Sequence, residues 1–451
     1  MANKLFEAYK NRLALSESFF AKTHAGERMD NSRKMATAIC LNNINNFMNE
    51  QFDNSVGTQR ADLGLWKKFT LNLTTVALPN LIAHELVIVH PMTAMSGYIT
   101  YVNYTAGTNK GATKQGDLFN NPFKLGDVDV NYTSPLINET HDTTATEASA
   151  HAFTLKWAPV ATVSAVKIGT TNYTVLTEGS PVAGTSVLAD IAAGTITFAS
   201  NDTAFAEGAD VDVLYTYDNI VIPQKDIPTV NFDVQGIPLL AKARRVAIYY
   251  SQMAAFQAKT DYGVDLGAQL AEKAVGQLEY EIDTEVTNLL IDNAVADPSL
   301  VWSKTLPVGV SKMEHYNGFT EIVEIARQKI YDATKRFAPN WMLISSSVLP
   351  VLSFIQGFKA APAGQINGPY FAGTLNGLKV FVTPNIPVDN FVVGVLGNDM
   401  MSAAAVFAPY MAVVPTQLLQ YADGGTSQGF STLYDLKILN PNLLVKGRIT
   451  A

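Results

Sequence analysis

The chain has 451 residues, 47% of them hydrophobic and only 16% charged, and carries a net charge of −8. That length supports several lobes with cores of their own, and the low charge points to a surface largely covered by other copies or partners. The charge excludes a polybasic nucleic-acid footprint, and the single cysteine, Cys40, excludes an internal disulfide framework and fits a reducing cytoplasm.

The opening MANKLFEAYKNRLALSESFF scatters charges through its apolar residues and has no block resembling a secretory signal. Nowhere does an apolar run approach the roughly 20 residues that cross a bilayer. Residues 1–55 are polar and helical in pattern, with Leu5, Phe6, Leu13, Leu15, Phe19 and Phe20 as intermittent apolar contacts. They read as an extended arm with short helices. Its slight positive excess, to which Arg28, Arg33 and Lys34 contribute, suits a place along an acidic helix, its own or a neighbour's.

Residues 69–91 read as strand, with LVIVHPM interrupted by Pro91. GYITYVNY then alternates from Gly97 to Tyr104, and residues 105–127 are rich in Gly, Asn, Thr and Lys. With strands on either side, that stretch is expected to be the projecting tip of a long hairpin, with Gly107, Lys110, Lys114 and Gly116 in it. Such a projection has no core of its own and needs a neighbour to order it. Both lysines read as ordinary solvated side chains. Residues 125–145 return to the body.

Residues 146–222 are a compositional block with eight acids and two lysines. Val211, Val213, Tyr215 and Tyr217 alternate with polar neighbours, and VSAVKI, TNYTVL and GTITFAS read the same way between turn residues. A small inserted all-β lobe is expected there.

Residues 223–311 begin with two strands, TVNFDVQGIPLL and RRVAIYYS, and carry the longest helix, expected over 261–293. Leu266, Leu270, Ala274, Leu278, Ile282, Val286 and Leu289 recur every three or four positions, which marks one buried face. The other face holds Glu272, Glu279, Asp283 and Glu285 among seven acids, a run that reads as the solvent or interface side of a rod. Residues 268–293 alone would extend about 39 Å at 1.5 Å per residue.

Residues 312–420 combine a second amphipathic helix over 319–337, a buried strand WMLISS and a short helix VLPVLSFI. FAGTLNGLKVFVTP follows as a hairpin pivoting on Asn376-Gly377, and FVVGVLG and AVFAPYMAVV are further strands. Residues 421–451 are strand-rich and return to the body. The fold class is α+β.

Catalytic chemistry finds no support. Gly425-Thr426-Ser427-Gln428-Gly429 matches a nucleophile-elbow pattern, but a strand follows it and the last histidine, His315, precedes it. The six histidines show no metal-ligand spacing, and no phosphate-cradling or dinucleotide-binding loop occurs. No enzyme, cofactor or metal is expected.

Three stretches together resemble one family. LTTVALPNLIAHELVIVHPMTAMSGYI, DLGAQLAEKAVGQLEYEIDTEVTNLLI and the NWMLISSSVLPVLSFIQGF…YFAGTLNGLKVFVTPNIP…AVFAPYMAVV series are similar, in that order, to the major capsid proteins of T4-like and related tailed phages. The resemblance implies the HK97-like capsid fold. Its parts would be an N-terminal arm (1–68), a peripheral domain (69–91, 125–145 and 223–311) with spine helix 261–293, an extended loop (92–124), an axial domain (312–420), C-terminal strands (421–451) and an inserted β domain (146–222). It further implies self-assembly as hexamers and pentamers into an icosahedral shell around double-stranded DNA, touched weakly and without sequence specificity. Partners would include a portal and scaffold or decoration proteins, no membrane would be involved, and assembly would occur in the bacterial host cytoplasm before the chain resides in the virion. The loop tip would lie on an adjacent subunit, and the basic arm beneath the acidic spine. An encapsulin-like nanocompartment shell shares the fold, and a surface-layer or adhesin protein is a more distant alternative.

Overall fold

The long helix starts where local chemistry starts it. Asp265 Oδ1 accepts a hydrogen bond from Ala268 N at 3.2 Å, and Leu266–Asn293 then runs 28 residues, about 42 Å. The computed structural model describes residues 2–23, 28–54, 70–111, 113–119, 126, 128, 131–218, 227–361, 368–386, 390–397, 400–416 and 418–450. The helix is shorter at its front than the expected 261–293, because Gly263, at φ 65, ends a separate helix, Gln252–Tyr262. Only a residue without Cβ adopts that left-handed turn at no steric cost.

The chain divides into two compact units, Met1–Ile99 with Gly236–Ala451, and Thr100–Gln235. In the first, the long helix lies on a sheet whose hydrogen-bonded order is Ile88–Val89, Ala405–Pro415, Gly425–Ile438 and Lys242–Ser251, with Leu419–Gln420 added to the third strand. Ala271, Ala274, Val275 and Leu278 of the helix meet Val413 and Phe430 of that sheet.

A seven-stranded mixed sheet forms the other half of this unit, in the order Val295–Ser303, Leu444–Thr450, Asn390–Gly394, Trp341–Ser345, Leu378–Thr383, Tyr370–Leu375 and Phe358–Ala360. Its central strand, Trp341–Ser345, is buried throughout, as a strand covered on both faces must be. The helix Lys312–Thr334, started by a Ser311–Glu314 capping box, lays Phe319, Val323, Ala326 and Ile330 into this core. Asn376 and Gly377, at φ 47 and 85, make the two-residue turn that sets Leu375 opposite Leu378.

This allocation of strands differs from the expected domain limits. Residues 405–415, expected in the axial domain, pair with Gly425–Ile438 and Ile88–Val89 beneath the long helix. Residues 295–303 and 444–450, expected in the peripheral part and the tail, complete the seven-stranded sheet. Pairing partners as distant as Ile88 and Val406, or Val295 and Val445, decide membership, and no local pattern specifies them.

Gly394 is a close approach. A Cβ there would sit 2.2 Å from the Trp341 ring, which is itself 1% exposed. Gly394→Ala is expected to lower stability by about 1–3 kcal/mol in urea titration, the cost of overfilling a core whose neighbours cannot shift.

Two further expectations change. Residues 70–77 and Ala83–Leu86 are helical, not strand. Leu71, Thr74, Thr75 and Leu78 are buried at helical spacing, and the Thr74 and Thr75 hydroxyls donate to the carbonyls of Thr70 and Leu71 four residues back. The arm has two long helices, α1 (Ala2–Thr23) and α2 (Asn31–Asn54), in place of short ones. Small residues give α2 its buried face, with Ala36, Thr37, Cys40, Leu41, Ile44 and Met48 almost inaccessible. Asn43 Nδ2 clasps it to the body through Met92 O at 2.7 Å and Tyr410 O at 2.9 Å. Residues 24–27 and 55–68 of the expected arm lie outside the described residues.

The second unit holds another seven-stranded sheet, ordered Leu136–Asp142, Asp210–Tyr217, Val160–Ile168, Thr171–Leu176, Ser186–Asp190, Thr195–Thr197 and Ala152–Thr154. The Asp210–Tyr217 strand buries Val211, Val213, Tyr215 and Tyr217 in strict alternation. The lobe starts earlier than residue 146, since Leu136–Asp142 is its edge strand and pairs antiparallel with Asp210–Tyr217. Residues 219–222, its expected end, lie outside the described residues.

Candidate assembly surfaces

Among the described residues, strands Ser96–Ala106 and Val230–Leu240 pair with each other and with no third strand. A two-stranded ribbon cannot bury its own faces. Gly107 N donates to Thr229 O at 2.7 Å, and counting back from that pair sets Tyr104 opposite Phe232 and Val102 opposite Val234. These four side chains, with Val230, share one side by the two-residue period of a strand. Phe232 is 74% exposed, Val234 59% and Tyr104 53%. An apolar stripe of this kind in one copy of a chain is the surface type that another molecule covers.

The loop beyond this ribbon is not a free projection, contrary to expectation. Ala106 N donates to Asp117 O and Phe119 N to Tyr104 O, while Lys110 and Thr113 exchange both backbone hydrogen bonds at 3.0 Å. Gly107 sits against Thr229, whose Oγ1 would be 2.2 Å from an added Cβ. Gly116 turns at φ 94. Lys114 is exposed, but Lys110 is buried at 3% exposure, with its ammonium on Tyr132 O, Ser134 O and Tyr217 Oη. The solvated state expected of Lys110 is thus wrong. Its oxygen partners lie 22, 24 and 107 positions away, beyond any local reading.

The four acids singled out on the long helix do not share one environment. Glu272 is exposed. Asp283 is 7% exposed, accepts from Ile82 N at 3.0 Å, and burial holds its carboxyl well above the usual range. Glu279, one turn earlier, faces an apolar cleft with Leu78, Leu81, Leu278, Phe407 and Val413, and burial pushes its carboxyl up to about 7. Glu285 is ion-paired to Arg244 at 2.5 Å and accepts from the Tyr434 hydroxyl, tying the helix to the strand below. The helix turns part of this acidic run inward because the segment 78–83 closes over it.

Among the described residues, Arg33 and Lys34 have partners outside the long helix. Arg33 is buried, ion-paired to Glu85, bonded to Pro79 O at 3.1 Å and placed 4.7 Å over the Phe20 ring. Lys34 pairs with Glu17 at 3.1 Å, and Arg28 is exposed. Glu85 also holds Lys379 at 2.6 Å, so one carboxylate links the arm to the seven-stranded sheet. At the far hairpin, the Asn376 carbonyl faces Arg327 Nη1 at 3.5 Å.

Residues 63–448 match the family model described as major capsid protein Gp23. The chain belongs to the Gp23 major capsid protein family. It is 26% identical over 240 residues to the major capsid protein of Enterobacteria phage T6, covering 47% of each chain. Its identity to that of Vibrio phage KVP40 is 25% over 239 residues, 47% of this chain and 46% of the other. The chain spans about half the length of the curated relatives it matches. Among solved structures, the capsid of Myoviridae phage XM1 is similar at a TM-score of 0.36 and 8% identity, over 51% of this chain and 80% of that one.

The match to the Gp23 family supports the capsid reading over the nanocompartment alternative. A further surface of this Gp23-family chain escaped the sequence reading. The helix Gln252–Tyr262 buries none of its residues and exposes Met253, Phe256 and Tyr262 by 76%, 68% and 79%. Only its last two residues, Asp261 and Tyr262, fell within the expected long helix. Of the two tyrosines that hold the loop, Tyr217 was legible only as an inward residue of its strand, and Tyr132 carried no signal.

Proposed function

We propose that copies of this chain close, as hexamers and pentamers, into an icosahedral shell that encloses phage double-stranded DNA. The family match over residues 63–448 is the observation that carries this reading. The apolar stripe of the ribbon supports it, because a shell subunit needs surfaces that only its neighbours cover. On this reading the arm, the ribbon with its loop, the long helix and its sheet, and the seven-stranded sheet 295–450 serve as arm, extended loop, peripheral domain and axial domain of an HK97-type subunit. The acidic inserted sheet decorates the outside, where charge favours solubility. The ribbon, rather than the loop tip alone, makes the principal contact with the adjacent copy.

The role is mechanical, and we assign it no catalytic step. A portal and scaffold or decoration proteins join the shell, assembly takes place in the host cytoplasm, and the finished subunit resides in the virion. DNA contact is weak, since strong phosphate binding would be salt-sensitive and would hold the genome to the wall. Electron microscopy and light scattering on the purified chain test the proposal. Shells, tubes or rings are expected. A strict monomer at every concentration, both alone and with the other head proteins of its phage, would sink it.

A further inference from the structure

We infer that Lys110 is a latch with which the inserted sheet holds the loop of residues 104–119 in place before any neighbour reaches it. An ammonium has three N–H donors and no acceptor. Three oxygens surround this one, Tyr132 O at 2.8 Å, Ser134 O at 2.5 Å and Tyr217 Oη at 3.1 Å. The charge also lies 4.9 Å from the Tyr217 ring centroid and 5.9 Å from that of Trp157, a setting that favours a cation most when water is excluded. Matching of donors to acceptors makes the burial tolerable, since a buried charge without partners is costly.

The neck of the loop is clasped by the same segment that supplies the socket. Tyr132, 2% exposed, donates from its hydroxyl to Thr229 O at 2.9 Å and accepts from Thr108 N at 3.3 Å. Its ring meets Phe119 edge-on at 5.5 Å. Residues 105–117 contain no Leu, Ile, Val, Met or aromatic residue, so apolar burial cannot fix this stretch and a polar anchor must. A loop ordered in advance also spares assembly the entropy of ordering it at the interface. That last step rests on the shell reading above; the latch itself does not.

Hydrogen exchange on the chain kept below its assembly concentration tests the latch. Lys110→Met keeps the stem and removes the ammonium. Exchange across residues 104–119 is expected to rise by about tenfold or more, with strands Val160–Ile168 and Asp210–Tyr217 unchanged. Lys114→Met, at an exposed position of the same loop, is expected to match the wild type. Tyr217→Phe removes one oxygen of the socket and is expected to give a smaller rise, which keeps the question answerable should Lys110→Met unfold the sheet. Wild-type exchange in both socket variants overturns the latch. Shell yield is then measured on the same preparations. A loss with Lys110→Met but not Lys114→Met supports the role in assembly, and wild-type yield despite faster loop exchange overturns that role. If the wild-type chain itself forms no shells, the shell reading fails while the exchange result still decides the latch.

Discussion

A chain carrying Tyr104→Asp and Phe232→Asp is expected to melt as the wild type does and to build no shells. Both side chains are more than half exposed, so neither contributes a core whose loss would unfold the subunit. Surface changes of this kind stay within about 0.5 kcal/mol. At an interface the same changes place two carboxylates where an apolar stripe would be covered. An unpaired buried charge costs several kcal/mol, roughly 3–5 by comparison with broken buried pairs. That penalty recurs at every copy, so it exceeds what a closed shell can absorb. Thermal melting by circular dichroism and particle counts by electron microscopy measure the two halves separately. Wild-type shell yield would mean that the ribbon face touches nothing in the assembly.

Glu279→Gln is expected to reduce a fall in stability that the wild type shows as pH rises between about 4.5 and 7, leaving the part that Asp283, raised one turn along the helix, contributes. The cleft around Glu279 is lined by Ala77, Leu78 and Leu81 on one side, Leu278 and Ile282 on its own helix, and Phe407, Pro409, Ala412, Val413 and Thr432 on the sheet. None of those neighbours is charged, and burial raises the carboxyl to about 7. The unfolded chain releases the proton near the ordinary 4.5. Between those values the folded chain binds more protons than the unfolded one, so stability falls as pH rises and levels off above 7. Glutamine keeps the shape without the charge. The variant should therefore equal the wild type near pH 4 and exceed it by about 3 kcal/mol above pH 7, measured by urea titration across the range. Parallel wild-type and variant curves at all pH values would show that Glu279 is hydrated in the folded chain.

Several features of the protein were legible in the residues alone. The recurrence from Leu266 to Leu289 specified a long helix, the alternation from Val211 to Tyr217 a half-buried strand, and Asn376-Gly377 a tight hairpin turn. Each of these is decided within a few residues, by backbone geometry that repeats every 3.6 or 2 positions or by the φ values a turn demands. The family was legible too, through ordered stretches distributed over much of the chain.

Other features depended on partners far away in sequence. Residues 70–77, expected as strand, are a helix that packs Leu71 against Met411 and Val414. The strand 405–415 joined the sheet of 88–89 and 425–438, while 444–450 crossed to the other sheet. Asp283 looked like a member of an exposed acidic face and is buried against Ile82, and Lys110 looked solvated and is enclosed by Tyr132, Ser134 and Tyr217. By itself the sequence determined which segments are helix, strand and turn wherever the repeat was strong, and which family the chain belongs to. Only the tertiary structure decided which sheet each strand joins and which charges lose their water, because desolvation depends on what distant segments bring to the side chain.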